Sequence, residues 1–211
     1  MKGTIHAPRL STRSASSTEG WSRIMDGLTR HTLDYRPWPD FAHGPATHFS
    51  IAHTDTSILL KYYVEEHTPQ VTCFNPNDPV YMDSCVEFFI SFDKGRSYYN
   101  LEWNAIGTCL IAHGKVFDDR DLLPSELIRA IGVGMGKTSL PAGPGWSLTL
   151  YIPTAIFIHD RYSSLSGVHA TANFYKCGDD CLKPHYLAWN DIPTPFPDFH
   201  QPRFFGNLLF L

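Results

Sequence analysis

The chain has 211 residues, 43% of them apolar and 18% charged, which is enough to build a sizeable core and excludes a disordered chain. A formal net charge of −4, with no basic run or face, excludes a general nucleic-acid or anionic-membrane binder and suits a neutral, polar ligand better. No stretch nears the roughly 18 apolar residues of a membrane span, and 16 Pro with 15 Gly favour turns over long helices.

Residues 1–20 are polar and Ser/Thr-rich without an apolar leader, and are expected to form a flexible tail ahead of a single domain over 21–211. Strand-like alternation then recurs. Thr47–His53 and Ser57–Glu65 read as a hairpin, Asn75–Pro79 as a loop, and Ser84–Phe92 with Ser97–Asn104 as a second hairpin across Asp93-Lys94-Gly95-Arg96. Further strands are expected at Gly107–His113, Trp146–Ile152, Val168–Lys176, His185–Asn190 and Phe204–Leu211, with a short helix at Ser125–Ile131. Short strands with Pro/Gly-rich connections predict an all-β fold, an antiparallel β-sandwich of jelly-roll or Ig-like type with one or two short helices.

The five cysteines (Cys73, Cys85, Cys109, Cys177, Cys181) are odd in number and scattered, which suits a reducing compartment. A trimmed exported protein would look the same, so localisation stays open. Cys177 and Cys181 lack a second ligand pair at zinc-finger spacing and read as small buried thiols.

The second hairpin carries the most information. Val86, Phe88, Ile90 and Phe92 alternate onto one face, joined by Tyr99, Leu101 and Trp103. The four-residue turn sets Phe92 opposite Ser97, and hence Glu87 opposite Glu102, Phe89 opposite Asn100 and Cys85 opposite Asn104. The other face therefore carries Glu87, Tyr98, Asn100, Glu102 and Asn104, and Thr171, Asn173 and Tyr175 extend it from a later strand. Opposed like charges are unfavourable by roughly 0.2–1 kcal/mol when exposed, so a shared proton, a metal, a hydroxyl-bearing ligand, Lys176 or Arg203 should offset them. Glu, Asn and Tyr side chains offer the donors and acceptors that a polyol needs. An ordinary solvated sheet face is the plain alternative.

Other motifs fall away. Gly132–Thr138 fails the phosphate-loop spacing because Ile131 stands where the first Gly is required. The 11 histidines form no zincin spacing, and Ser163 and Ser164 lack a nucleophile elbow. Glu87 and Glu102 can be read as a glycosidase pair, but directly opposed strand residues sit too close for an inverting mechanism, and a retaining one would also need a cleft.

Tyr81–Ile90, Tyr98–Thr108, Asn173–Gly178, Pro184–Trp189, Pro197–His200 and Phe205–Leu208 together resemble the family 9-like carbohydrate-binding modules, in order from about residue 47 to 211. The resemblance implies a β-sandwich that binds glycan at chain ends between two aromatic side chains, with a structural calcium. It places Glu87 at a ligand-binding acid, Tyr81 and Phe199 near the stacking aromatics, and Asn100 where a basic contact is usual. The clamp positions are usually Trp, so chain-end specificity does not carry over. Trp103 and Trp189 lie in strand patterns and are expected in the core.

The expectation is thus a carbohydrate-binding module without catalytic residues, taking a poly- or oligosaccharide of xylan or glucan type. Its contacts are expected from Tyr81, Glu87, Asn100, Glu102, Asn104, Asn173, Tyr175, Phe199 and His200. No cofactor is required; calcium, which the resemblance implies, would be structural, with Asp83 a ligand or a turn cap. Association with a glycan-degrading enzyme is the partner expected besides the carbohydrate, with no nucleic acid and no membrane span. A glycoside hydrolase using Glu87 and Glu102, or a haem-binding sandwich, are the alternatives.

Overall fold

A computed structural model describes residues 3–141 and 143–211. Two sheets face each other. The smaller contains β2 (His31–Thr32), β3 (Thr47–Thr54), β4 (Ser57–Val64), β9 (Gly132–Leu140) and β10 (Gly143–Pro153), ordered β2-β3-β4-β10-β9. The larger contains β1 (Ile5–Ala7), β5 (Cys85–Ser91), β6 (Tyr98–Asn104), β7 (Cys109–Gly114), β8 (Arg120–Leu122), β11 (His169–Cys177), β12 (Tyr186–Ala188) and β13 (Gly206–Phe210). Its order is β1-β13-β11-β5-β6-β7-β8, with β12 pairing β11 beyond the end of β13. Every pairing between these strands is antiparallel except β1 with β13. The helices are short: α1 (Thr18–Asp26) and α2 (Ser125–Ile128). Among the described residues no helix is long and apolar enough to cross a membrane.

The hairpin register is the expected one, with Glu87 opposite Glu102, Phe89 opposite Asn100 and Cys85 opposite Asn104. Its apolar set, Val86, Phe88, Ile90, Tyr99, Leu101 and Trp103, lies in the core between the sheets. There Phe174 stacks on Phe49 at 3.8 Å and on Phe88 at 4.9 Å, joining β11 to both sheets.

The polar start of the chain is not a tail over its described part. Ile5 and Ala7 alternate inward from β1 and are buried against the core, in register with Leu208 and Phe210. Ser17 caps α1 by accepting from the Gly20 amide, and Trp21 and Met25, one turn apart, pack on Ala52 and Leu59. This helix covers the outer face of the small sheet, which explains why all eight residues of β4 are buried. Lys61, facing the helix, puts its ammonium 2.7 Å from Asp26.

The rejected phosphate loop is strand β9. A Cβ on Gly132 or Gly134 would come within 3.2 or 3.1 Å of Thr18, so these glycines let α1 approach the sheet.

Candidate functional site

The outer face of the large sheet is buried as well, by loops rather than by a sheet. Trp38, Cys73, Val80, Ile192, Phe199 and Phe205 come from connecting segments to cover Cys85, Phe89, Tyr98, Tyr175 and Cys177. The plain alternative of a solvated face is therefore overturned. One pocket of about 650 Å³ stays open in this layer. Glu87, Glu102, Leu110, Ala112 and Cys177, from β5, β6, β7 and β11, lie on its sheet side. Tyr81, Phe117, Arg120, Asp179, Tyr186, Asp198, Phe199 and His200 supply its walls. The Tyr81 carbonyl accepts the Asp179 amide at 3.1 Å and the Cys177 thiol at 3.6 Å, which ties two of these segments together.

Burial disfavours the charged form of the pocket carboxyl groups. Glu87 and Glu102 are each 3% exposed. Burial pushes Glu102 up to about 7, against a hydrogen bond from Asn100 and the Arg120 charge that pull it down. Burial, and then the Glu102 charge, hold Glu87 well above the usual carboxylate range. Burial also raises Asp179 to about 6, while a hydrogen bond with Tyr186 opposes it. Glu102 Oε1 accepts from Asn100 Nδ2 at 2.8 Å, but Glu102 Oε2 and Asn100 Oδ1 have no protein partner. Such orphaned buried oxygens call for donors from a ligand. His200 is driven down to about 3 by burial and by Arg120, so its ring is neutral, with Nδ1 2.9 Å from the Tyr98 hydroxyl.

Of the residues expected to bind, Tyr81, Glu87, Glu102, Phe199 and His200 line this pocket. Asn100 lies behind it, orienting Glu102. The other three hold the scaffold. Asn104 donates to the Cys73 carbonyl and to Asp83, and accepts from the Ile106 and Thr108 amides. Asn173 bonds the Asn190 carbonyl and amide, and Tyr175 donates to the Phe199 carbonyl. Phe199 lies flat on Tyr175 at 4.1 Å and is only 8% exposed, so little of its ring is open to a ligand. The more open rings are Tyr81 and Phe117.

The expected neutralising cations are elsewhere. Lys176 pairs in register with Val86, which puts it on the inward face, where its ammonium meets the Cys177 carbonyl and His185. Arg203 lies over the ring of Phe204. Arg120 is the cation at the pocket.

Asp83 does not suit calcium. Its two oxygens already accept from the Thr72 amide and hydroxyl, the Cys73 amide and Asn104, which makes it a loop clamp. Among the described residues one grouping of His, Cys, Asp or Glu has metal-ligand spacing: Cys85, Glu87 and Cys177. Its two thiols are the wrong donors for calcium, which takes oxygen ligands.

The family model described as carbohydrate-binding family 9 matches residues 23–210. The chain belongs to that family. A Bacteroides uniformis protein with a proposed carbohydrate-binding role is 33% identical over 99% of both chains, with a TM-score of 0.90. Two structures of a family 9 module from Caldicellulosiruptor kristjanssonii share the fold at lower identity. One, in complex with cellotriose, is 14% identical with a TM-score of 0.58, over 98% of this chain and 93% of that one. The other, in complex with glucose, is 13% identical with a TM-score of 0.52, over 99% and 95%. Among curated proteins none matches.

For this family 9 chain, sequence reasoning missed Phe117, Arg120, Asp179 and Tyr186 as pocket residues. Tyr186 lay inside a segment that carried the resemblance. Asp179 follows the end of β11 on the same side as Glu87, a signal readable from strand parity. Phe117 and Arg120 sit around an irregular connection, where no periodicity points to a site.

Proposed function

We propose that this module binds a poly- or oligosaccharide of glucan or xylan type in the outer-face pocket, through Glu87, Glu102, Asp179 and Arg120 as polar contacts and Tyr81 and Phe117 as ring surfaces. Family membership supports the ligand class, and relatives of the same fold hold cellotriose and glucose. The single observation that carries the reading is the buried Glu102 carboxyl, which lines the pocket and has one oxygen without a protein partner. A sugar hydroxyl both gives and takes a hydrogen bond, so it satisfies this group in either protonation state. The pocket volume falls within the usual range of small-molecule sites, about 300–1,000 Å³. Aromatic surface beside the acids suits the C–H faces of a pyranose.

Calorimetric titration of cello- and xylo-oligosaccharides, with and without calcium, tests this reading. Saturable heat that Glu102→Ala weakens at least tenfold is expected. No heat from either series, or heat unchanged in the variant, would overturn it. As a binding module the chain would serve a glycan-degrading enzyme by holding it near substrate, which a pull-down with the oligosaccharide-degrading fraction of the source cells would test.

A further inference from the structure

We propose that Cys85, Cys177 and Glu87 form a binding site for a thiophilic divalent cation of the zinc class on the sheet side of the pocket. The proposal does not require the carbohydrate reading, although Glu87 and the pocket are common to both.

Strand geometry assembles the site. Cys177 on β11 stands directly opposite Cys85 on β5. Glu87 follows Cys85 by two residues, so the pleat returns it to the same face. The two sulfurs and a carboxylate oxygen thereby lie within 4.8 Å of one another, with all three residues buried. Cys177 Sγ is 2.9 Å from Glu87 Oε1. Tetrahedral zinc takes sulfur at about 2.3 Å and carboxylate oxygen at about 2.0–2.2 Å, which sets neighbouring ligand atoms roughly 3.5 Å apart, so small side-chain adjustments suffice.

The chemistry selects the ion. Two thiolates favour zinc over calcium or magnesium. Phe89 and Tyr175 give the cluster an apolar surround, which strengthens charge attraction. Cys177 and Glu87 also line the pocket, which leaves a route in for the ion and an open fourth position for water or a ligand oxygen. On binding, both thiols release their protons to solvent, as does Glu87 where it is protonated. Because both thiols must give up their protons to bind the ion, affinity climbs with pH. Cys181, closer to Cys177 in sequence, instead approaches Ser84 and takes no part.

The full chain, reduced with a phosphine and stripped by a chelator, is titrated with Co²⁺ and followed by absorption. The expected result is a thiolate-to-cobalt charge-transfer band saturating at one ion per chain and displaced by Zn²⁺. Cys177→Ser should abolish the band, Glu87→Gln should weaken binding at least tenfold, and Cys73→Ser and Cys181→Ser should leave it intact. Circular dichroism accompanies each variant, and the wild-type titration decides without any substitution. No band in the wild type at saturating Co²⁺, a band surviving in folded Cys177→Ser, or a band lost equally in folded Cys181→Ser would overturn the proposal.

Discussion

The two faces of the large sheet are both buried, but by different partners. The inner face meets a second sheet, and its side chains are mostly apolar, with Lys176 and His113 among the exceptions. The outer face meets loops, and its side chains include Glu87, Asn100, Glu102, Asn104 and Asn173, all 3% exposed or less. A sheet can cover its neighbour only with side chains on a fixed pleat, whereas loops also bring backbone groups that bond buried amides. Loops can also leave a gap. At that gap, buried polar groups remain with spare bonding capacity, and there the fold becomes a binding site.

The largest effects should fall on the inner face. Phe174→Ala removes the ring stacked between Phe49 and Phe88 and should cost about 3–5 kcal/mol of stability by urea unfolding. Sugar affinity of the folded fraction should stay within twofold. A loss of affinity matching the loss of stability would blur the two faces into one unit.

Next comes the clamp beneath the loop layer. Asp83→Ala strands four donors, and should cost about 2–3 kcal/mol. Burial alone would raise the Asp83 carboxyl, but the hydrogen bonds it accepts together outweigh this and hold it below its ordinary value. Its contribution is therefore present above that ordinary value and is lost as pH falls through the lowered one. Acid unfolding monitored by tryptophan fluorescence should show the variant less sensitive to pH in that window.

Glu102 should act with the opposite sign. Its carboxyl is raised from 4.5 to about 7, so the folded state holds the proton more tightly and stability falls as pH rises between those values. In chelator-treated protein, Glu102→Gln should lessen this slope, leaving the part owed to Glu87 and gaining on the order of 1–3 kcal/mol relative to the wild type by pH 8. Parallel stability curves for the two proteins would show that the carboxyl is not desolvated in this way.

The smallest effect belongs to the pocket rim. Phe117 is 59% exposed, so Phe117→Ala should change stability by less than about 0.5 kcal/mol while weakening oligosaccharide binding several-fold by calorimetry. Unchanged affinity would remove this ring from the ligand contacts.

Much of this arrangement was legible in the chain itself. Period-two alternation and a four-residue turn gave the register that pairs Glu87 with Glu102, because a one-residue slip would turn Val86, Phe88 and Ile90 outward. Alternation alone says which face a residue takes, not what covers that face. Asn104 and Asn173 were thus assigned to a ligand although loop backbone claims them. Local composition misled at the start of the chain, where Ile5 and Ala7 are too few to show a pattern before β13 pairs with them. Arg120 could not be placed, since its position depends on how β8 returns along β7.

Chemical-shift mapping on the uniformly ¹⁵N-labelled chain, titrated with cellotriose, tests most directly whether the gap in the loop layer is where ligand sits. Saturable shifts should concentrate at Tyr81, Glu102, Arg120, Asp179 and His200. Shifts concentrated on the α1 side of the small sheet, or none at all, would contradict the account.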